Sequence, residues 1–267
     1  MVSIVYMVAG VSSRFQGRIK SFAQITENET LIEYSLNQAL KNSFDKIIFI
    51  VGEKTEQPFK EKFGDSYKGI PVYYALQYFD TRLRDRPWGT VDALCSAKNL
   101  LSEPFVVCSG DDIYGKNSFK ILFNHLKNKK TNATLGYKLK EVLSNKGGVN
   151  RGVFKIDSNN QVKSITEEFN ITGDNLEEKG LMEESLCSML FFALQPKVVS
   201  ILDDILINFK EKHNNDRKIE CLLPNEIGKL IENRKIIMDA YITNDKWLGI
   251  TNPEDEIAVR EQLRNSS

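Results

Sequence analysis

Four short apolar runs punctuate the first 110 residues: VSIVYMV (2–8, closed by Gly10), DKIIFIV (45–51), IPVYYAL (70–76) and PFVVCSG (104–110). Runs of this length bounded by turn residues suit strands buried on both faces. Between them lie segments with apolar residues at helical spacing. LIEYSLNQAL follows a capping box of Thr30 and Glu33, EQPFKEKFG closes at Gly64, and TVDALCSAKNLL spans 90–101. Strand and helix therefore alternate, which demands an open, mostly parallel sheet wrapped by helices through right-handed crossovers.

The pattern persists through a helix, SFKILFNHLKNKK, and a strand, ATLGYKL, and then changes. GVNRGVFKID, QVKSITEEF and SLCSMLFFAL read as paired strands, and NITGDNLEEKGLMEE as a polar surface loop. Two helices (KVVSILDDILINFKEK and CLLPNEIGKLIENRK) and a strand (KIIMDAYI) follow. In the closing NPEDEIAVREQL, Asn252 suits a helix cap, Pro253 its first turn, and Glu254 and Asp255 its positive end. With no repeat, linker or low-complexity tract, the 267 residues read as one α/β domain with an appended lobe.

Composition narrows the function. Lys plus Arg and Asp plus Glu both number 36, so no basic field advertises nucleic acid, and any anion site is local. No apolar run approaches the roughly 20 residues that span a bilayer. The N-terminus reads as a core strand and not as a signal peptide. Cys95, Cys108, Cys187 and Cys221 form no CxxC pair and suit buried, reduced thiols in a cytoplasmic protein. Two histidines, His125 and His213, both in Lys-rich helical stretches, leave little for a zinc site or a Ser-His-Asp triad.

Three segments follow strand ends, where open α/β sheets bind ligands. In the first, Ala9 and Gly10 open into VSSRFQGRIK, where small residues let backbone amides approach phosphate oxygens and Arg14, Arg18 and Lys20 supply charge. It is neither GxGxxG nor GxxxxGK[ST], so neither a dinucleotide fold nor a P-loop is supported. In the second, Gln77 precedes RPWGTVDAL: Gly89 and Thr90 can lie against a flat base and Gln77 can address its edge, although Thr90 equally suits a helix cap. In the third, CSGDDIYG, Asp111 and Asp112 repel one another unless a cation joins them, as Mg²⁺ does with one or two carboxylates plus phosphate oxygens. An Asp-rich turn is the plainer alternative.

Taken together, these segments resemble the sugar-1-phosphate nucleotidyltransferases (nucleotide-sugar pyrophosphorylases). The family's AAGxGTR loop and following proline-lysine stand here as VAGVSSR…GRIK, with Ser12, Ser13 and Ile19 replacing glycine, threonine and proline. Its base-reading Gln and GTA-type loop match Gln77 and Gly89-Thr90, separated by the insertion YFDTRLRDRPW. GDDIYG matches its metal loop, NRGVF its YGVV, SITEE its IxEKP, and DKWLGITNPED its WxDIGTPED. The likeness runs in order along nearly the whole chain.

The resemblance implies a Rossmann-like, three-layer α/β nucleotidyltransferase fold with a mixed central sheet and a small sugar-binding lobe. It implies a single domain, with 1–140 as the nucleotide-binding half and 141–267 as the sugar-binding half and C-terminal helix. Ala9, Gly10, Ser12, Ser13, Gln77, Gly89 and Thr90 would hold the nucleotide, with Arg14 and Lys20 as the catalytic cations. Gly152, Glu167 and Cys187 would hold the sugar, and Asp111, with Thr251 or Asn252, Mg²⁺. Asn252 and Asp255 equally suit caps of the final helix.

Three departures stand out: Glu168 where many members carry lysine, Gly249 where many carry a second metal-binding aspartate, and Ser188-Met189 in place of a glycine-containing sugar contact. The first two are shared by the N-acetylglucosamine-1-phosphate uridylyltransferases, whose GVNN is similar to GITN here. The expected substrates are therefore UTP and N-acetylglucosamine-1-phosphate or glucose-1-phosphate, without the acetyltransferase domain bacterial members often carry. The sugar phosphate attacks the α-phosphorus and needs no general base, which agrees with the scarcity of histidine. A nucleotide-sugar-dependent glycosyltransferase and a catalytically degenerate regulatory homologue are the alternatives. Oligomeric state is not legible.

Overall fold

The structure, a computed structural model, describes residues 1–10, 15, 17–144, 147–250 and 255–264. In chain order its elements are β1 (Ser3–Met7), α1 (Leu31–Ala39), β2 (Lys46–Val51), α2 (Glu56–Phe63), β3 (Ser66–Tyr67), β4 (Ile70–Leu76) and α3 (Thr90–Ser96). Next come β5 (Phe105–Ser109), β6 (Asp112–Ile113), α4 (Lys116–Asn128), β7 (Asn132–Lys138), α5 (Leu139–Val142), β8 (Val149–Ile156) and β9 (Val162–Ile171). The chain ends with β10 (Leu186–Ser188), β11 (Phe192–Leu194), α6 (Pro196–Lys212), α7 (Leu223–Glu232), β12 (Met238–Ile242), β13 (Leu248–Gly249) and α8 (Asp255–Arg264).

Among the described residues eleven strands form one mixed sheet in the order β3-β4-β2-β1-β5-β11-β7-β10-β8-β9, with β12 also pairing β7. β4, β2, β1 and β5 are mutually parallel, whereas β11 runs antiparallel to both β5 and β7. Successive side chains of a strand point to opposite faces, so each parallel strand feeds two cores. Ile4, Tyr6 and Phe49 pack with Ile32, Leu36, Phe59 and Phe119 on one side; Val5, Ile48 and Ile50 pack with Val91, Leu94, Leu202 and Ile227 on the other. This is the expected three-layer arrangement.

The interleaving of the two halves was not expected. β11 inserts between β5 and β7, so the strands that follow residue 140 complete the sheet begun before it. SLCSMLFFAL, expected as one strand, splits into β10 and β11 at Leu190, which takes a positive φ of 56°. A third cluster, with Phe15, Ile25, Leu31, Ile113, Ile250 and Val259, seats α8 against the segment after β1 and against β6.

The capping box at Thr30 and Glu33 forms as expected: Thr30 N and Oγ1 both donate to Glu33 Oε2, at 2.9 and 2.6 Å. All four cysteines are buried free thiols. His125 is a core residue, its ring nitrogens engaged by Tyr241 Oη and Thr131 O at 3.0 and 2.9 Å. Among the described residues no helix is long and apolar enough to cross a membrane.

Candidate active site

From β1 the chain moves outward through β2 to β4 and then returns to β5 on β1's other side. That reversal opens a crevice beyond the carboxyl ends of β1 and β5. The two loops leaving these strands pack on each other: Gly110 N donates to Met7 O at 3.0 Å, and any Cβ at Gly110 would run into the Val8 side chain. A cavity of about 400 Å³ lies there, lined by Ala9, Gly10, Lys20, Gln77, Gly89, Thr90 and Asp111 among others.

A second cavity of about 300 Å³ shares Lys20, Thr90, Ser109, Asp111 and Leu190 with the first. It continues over Asp112, Arg151, Gly152, Glu167, Ser188 and Trp247. The two thus form one cleft with a common central wall. At that wall, Lys20 Nζ donates to Asp111 Oδ2 although the residues are 91 apart in sequence, and Ser109 Oγ donates to the other carboxylate oxygen. Lys20 reaches this position from a one-turn 3₁₀ segment, Lys20–Phe22.

On the first cavity's side wall, Gln77 leaves β4 and its amide nitrogen donates to Gly89 O at 3.1 Å and Asp92 Oδ2 at 2.8 Å. Gly89 has φ of +100°, and a Cβ there would meet Cys221 O at 2.6 Å, so only glycine fits this turn. Thr90 caps a helix, though not its own: its Oγ1 accepts from Leu223 N, at the start of α7, at 2.7 Å. The insertion between Gln77 and Gly89 is tethered by buried Arg84. That guanidinium stacks 3.4 Å from the Trp88 ring centre and donates to Arg86 O, Asp216 O and Ile219 O at 3.0, 2.6 and 2.5 Å.

On the second cavity's wall, Gly152 and Glu167 are paired across β8 and β9, and Gly152 also pairs with Ser188 of β10. Asn225 Oδ1, from α7, accepts from Glu167 N at 2.9 Å and braces the hairpin. Cys187, expected beside the sugar, lines neither cavity. Strand alternation turns it into the core, where it is fully buried and its thiol donates to Tyr137 O at 3.4 Å. Ser188 faces the cleft instead, 3 % exposed and with its Oγ unpartnered. Glu168 pairs with Arg151 across the strands and lines neither cavity. Among the described residues, Arg151 adds a second cation to this cavity beside Lys20. It donates to Asn150 O and Val142 O at 2.9 and 2.7 Å and lies 5.1 Å from the Trp247 ring centre.

Burial and the adjacent Asp111 charge push Asp112 up to about 7, against the pull of Lys20 and Arg151. Burial likewise pushes Glu167 up to about 7, with Arg151 opposing. A short antiparallel pair, β6 with β13, fastens the GDD loop to the WLG segment. A Cβ at Gly249 would run into the Trp247 ring and sit 2.7 Å from Asp112 Oδ1, so the glycine makes room for both side chains.

Of the sequence-derived candidates, the cleft brings together Ala9, Gly10, Lys20, Gln77, Gly89, Thr90, Asp111, Gly152 and Glu167. Ser12, Ser13, Arg14, Thr251 and Asn252 lie outside the described residues. Arg151, Asp92 and Lys210 were not among the sequence-derived candidates, and Ser188 stood there only as a departure from the sugar-contact motif. For Ser188 the period of two along β10 was the available signal; nothing in the sequence joins Lys210 to Asp92 across 118 residues.

The Nucleotidyl transferase family matches residues 16–265. The chain belongs to this family. It is 24 % identical over 230 residues to the bifunctional protein GlmU of Methanococcus maripaludis, a stretch covering 85 % of this chain and 46 % of that protein. The chain thus spans about half the length of that relative. Among solved structures, UDP-glucose pyrophosphorylase complexed with UDP-glucose superposes with a TM-score of 0.70, 17 % identity and full coverage of both chains. The inositol-1-phosphate CTP transferase of T. maritima gives 0.69 and 15 %, covering 98 % of this chain and 96 % of that one. These likenesses establish the nucleotidyltransferase fold.

Proposed function

We propose that this nucleotidyltransferase moves a nucleotidyl group from a nucleoside triphosphate, UTP first, to a sugar-1-phosphate and releases pyrophosphate. N-acetylglucosamine-1-phosphate and glucose-1-phosphate are the proposed acceptors. The observation that carries the reading is the Lys20–Asp111 contact at the wall shared by the two cavities. It supports a reacting phosphate at the junction, a base beside Gln77, Gly89 and Thr90, and a sugar beside Gly152, Glu167 and Ser188. Buried free thiols suit the proposed cytoplasmic location.

The acceptor phosphate is already anionic, so attack on the α-phosphorus requires alignment and charge neutralisation more than a base. Lys20 would meet the α-phosphate, and Arg151 supplies a second cation beside the acceptor. Asp111 presents hard oxygen donors on the shared wall, next to Asp112, and so fits Mg²⁺, which takes one or two carboxylates and fills its shell with phosphate and water. Among the described residues no group of three or more His, Cys, Asp or Glu could hold a metal, so substrate oxygens would complete such a shell. Bound there, Mg²⁺ would offset the charge that develops on the phosphates.

The test is pyrophosphate release from UTP with a panel of sugar phosphates. Asp111→Asn or Lys20→Met is expected to lower the rate by about 10²–10³, as for loss of one preorganised charge-stabilising group, with the fold retained by circular dichroism. Near-normal release from Asp111→Asn would sink the metal assignment. Transfer from UDP-sugar without pyrophosphate would identify a glycosyltransferase instead.

A further inference from the structure

We propose that Asp92, held by Lys210, fixes the Gln77 amide with its oxygen toward the cavity, so that the site selects a base offering a ring N–H, as uracil and thymine do, over cytosine. This rests on the first cavity being the nucleotide site.

The orientation follows from the chemistry of the neighbours. Gly89 O is a carbonyl and can only accept. Asp92 Oδ2 belongs to a carboxylate whose other oxygen lies 2.5 Å from Lys210 Nζ. A carboxylate oxygen accepts hydrogen bonds and donates none. Both acceptors converge on one terminal atom of Gln77, at 3.1 and 2.8 Å, so that atom must be the NH₂ and both of its hydrogens are spent.

Gln77 and Asp92 are each 7 % exposed and the two bonds of the Gln77 amide are buried, which makes an amide flip costly. A flipped amide would set its oxygen against two acceptors. Oε1 is therefore what Gln77 can offer the cavity it lines. An acceptor matches the N3–H of uracil or thymine, and the ring N–H of guanine where a purine fits. It opposes the unprotonated N3 of cytosine, which would have to shift to present its amino group.

Asp92 is a positioning residue in this scheme. Calorimetric titration of the full chain with Mg²⁺-UTP and Mg²⁺-CTP, acceptor omitted, tests it. UTP is expected to bind roughly tenfold tighter or more. In Asp92→Asn one of the two acceptors becomes an amide that can also donate, so Gly89 O alone still opposes a turned Gln77 and the lock is weakened. The UTP-to-CTP ratio should then fall by about tenfold, in part because CTP binds more tightly, a gain that mere loss of packing does not produce. Gln77→Leu is the second variant and should bring UTP down to the affinity of CTP. Equal affinities in the unmodified chain, or parallel loss of both nucleotides in Asp92→Asn, would overturn the lock alone. Failure of every nucleoside triphosphate to bind would overturn the nucleotide site and the lock with it.

Discussion

Glu167 shows how one half-buried carboxyl couples the cleft to stability. Its ionisation is pushed up to about 7 in the folded chain, against 4.5 for the free side chain. Between those values the unfolded chain has lost a proton that the folded one keeps. Stability contributed by this group is therefore greatest at low pH and falls as pH rises through 7. Glu167→Gln removes the titration and should raise the melting temperature of the ligand-free protein at pH 8, by a few degrees for a chain of this size. At pH 4 it should change little, since Glu167 is then protonated in both states. Melting scans at the two pH values check the sign: equal shifts would mean that the glutamate is not held in a desolvating wall. SITEE pointed to the strand on which Glu167 lines the second cavity, whereas Cys187, named from the same kind of motif match, lines neither cavity. Position in a motif does not say which face of a strand a residue takes, and the period of two puts Ser188, not Cys187, on the cleft.

At the level of elements, the insertion after β4 explains why Gln77 and Gly89 meet despite the residues between them. Arg84 is 4 % exposed and fills three carbonyls, two of them on the segment before α7, while its guanidinium stacks on Trp88. Cys221 N then donates to Trp88 O at 2.7 Å, and Val91 N to Cys221 O at 3.1 Å, joining the start of α3 to the same segment. Arg84→Ala would leave buried acceptors unpaired and lose the stacking. A cost of about 2–3 kcal/mol is expected in urea unfolding, together with weaker nucleotide binding, because the Gly89 turn loses its support. The periodic patterns announced β1, β2, β4, β5 and the long helices, since each carries its own burial signal. β6 and β13 were invisible: two residues apiece have no period, and their pairing depends on segments more than 130 residues apart in the chain.

For the molecule as a whole, the decisive feature is where β11 sits. A reading by chain order separates a nucleotide half, 1–140, from a sugar half, 141–267. The sheet does not respect that boundary. β5 finds its outer neighbour in β11, and β7 is flanked by β10, β11 and β12, all from beyond residue 140. Long-range antiparallel insertion of this kind leaves no mark on local pattern, because a three-residue strand such as Phe192–Leu194 is specified by the gap it fills. Cut at 140, the first half would expose the open edge of β5 and an unpaired β7, both apolar, and such edges template aggregation. The fragment 1–140 is therefore expected to be insoluble or to lack a cooperative melt, while the intact chain unfolds in one transition by calorimetry and circular dichroism alike. A soluble, cooperatively melting fragment would show that the two halves fold independently. The cleft would then be an interface between domains, free to open, and no longer the fixed seam of a single sheet.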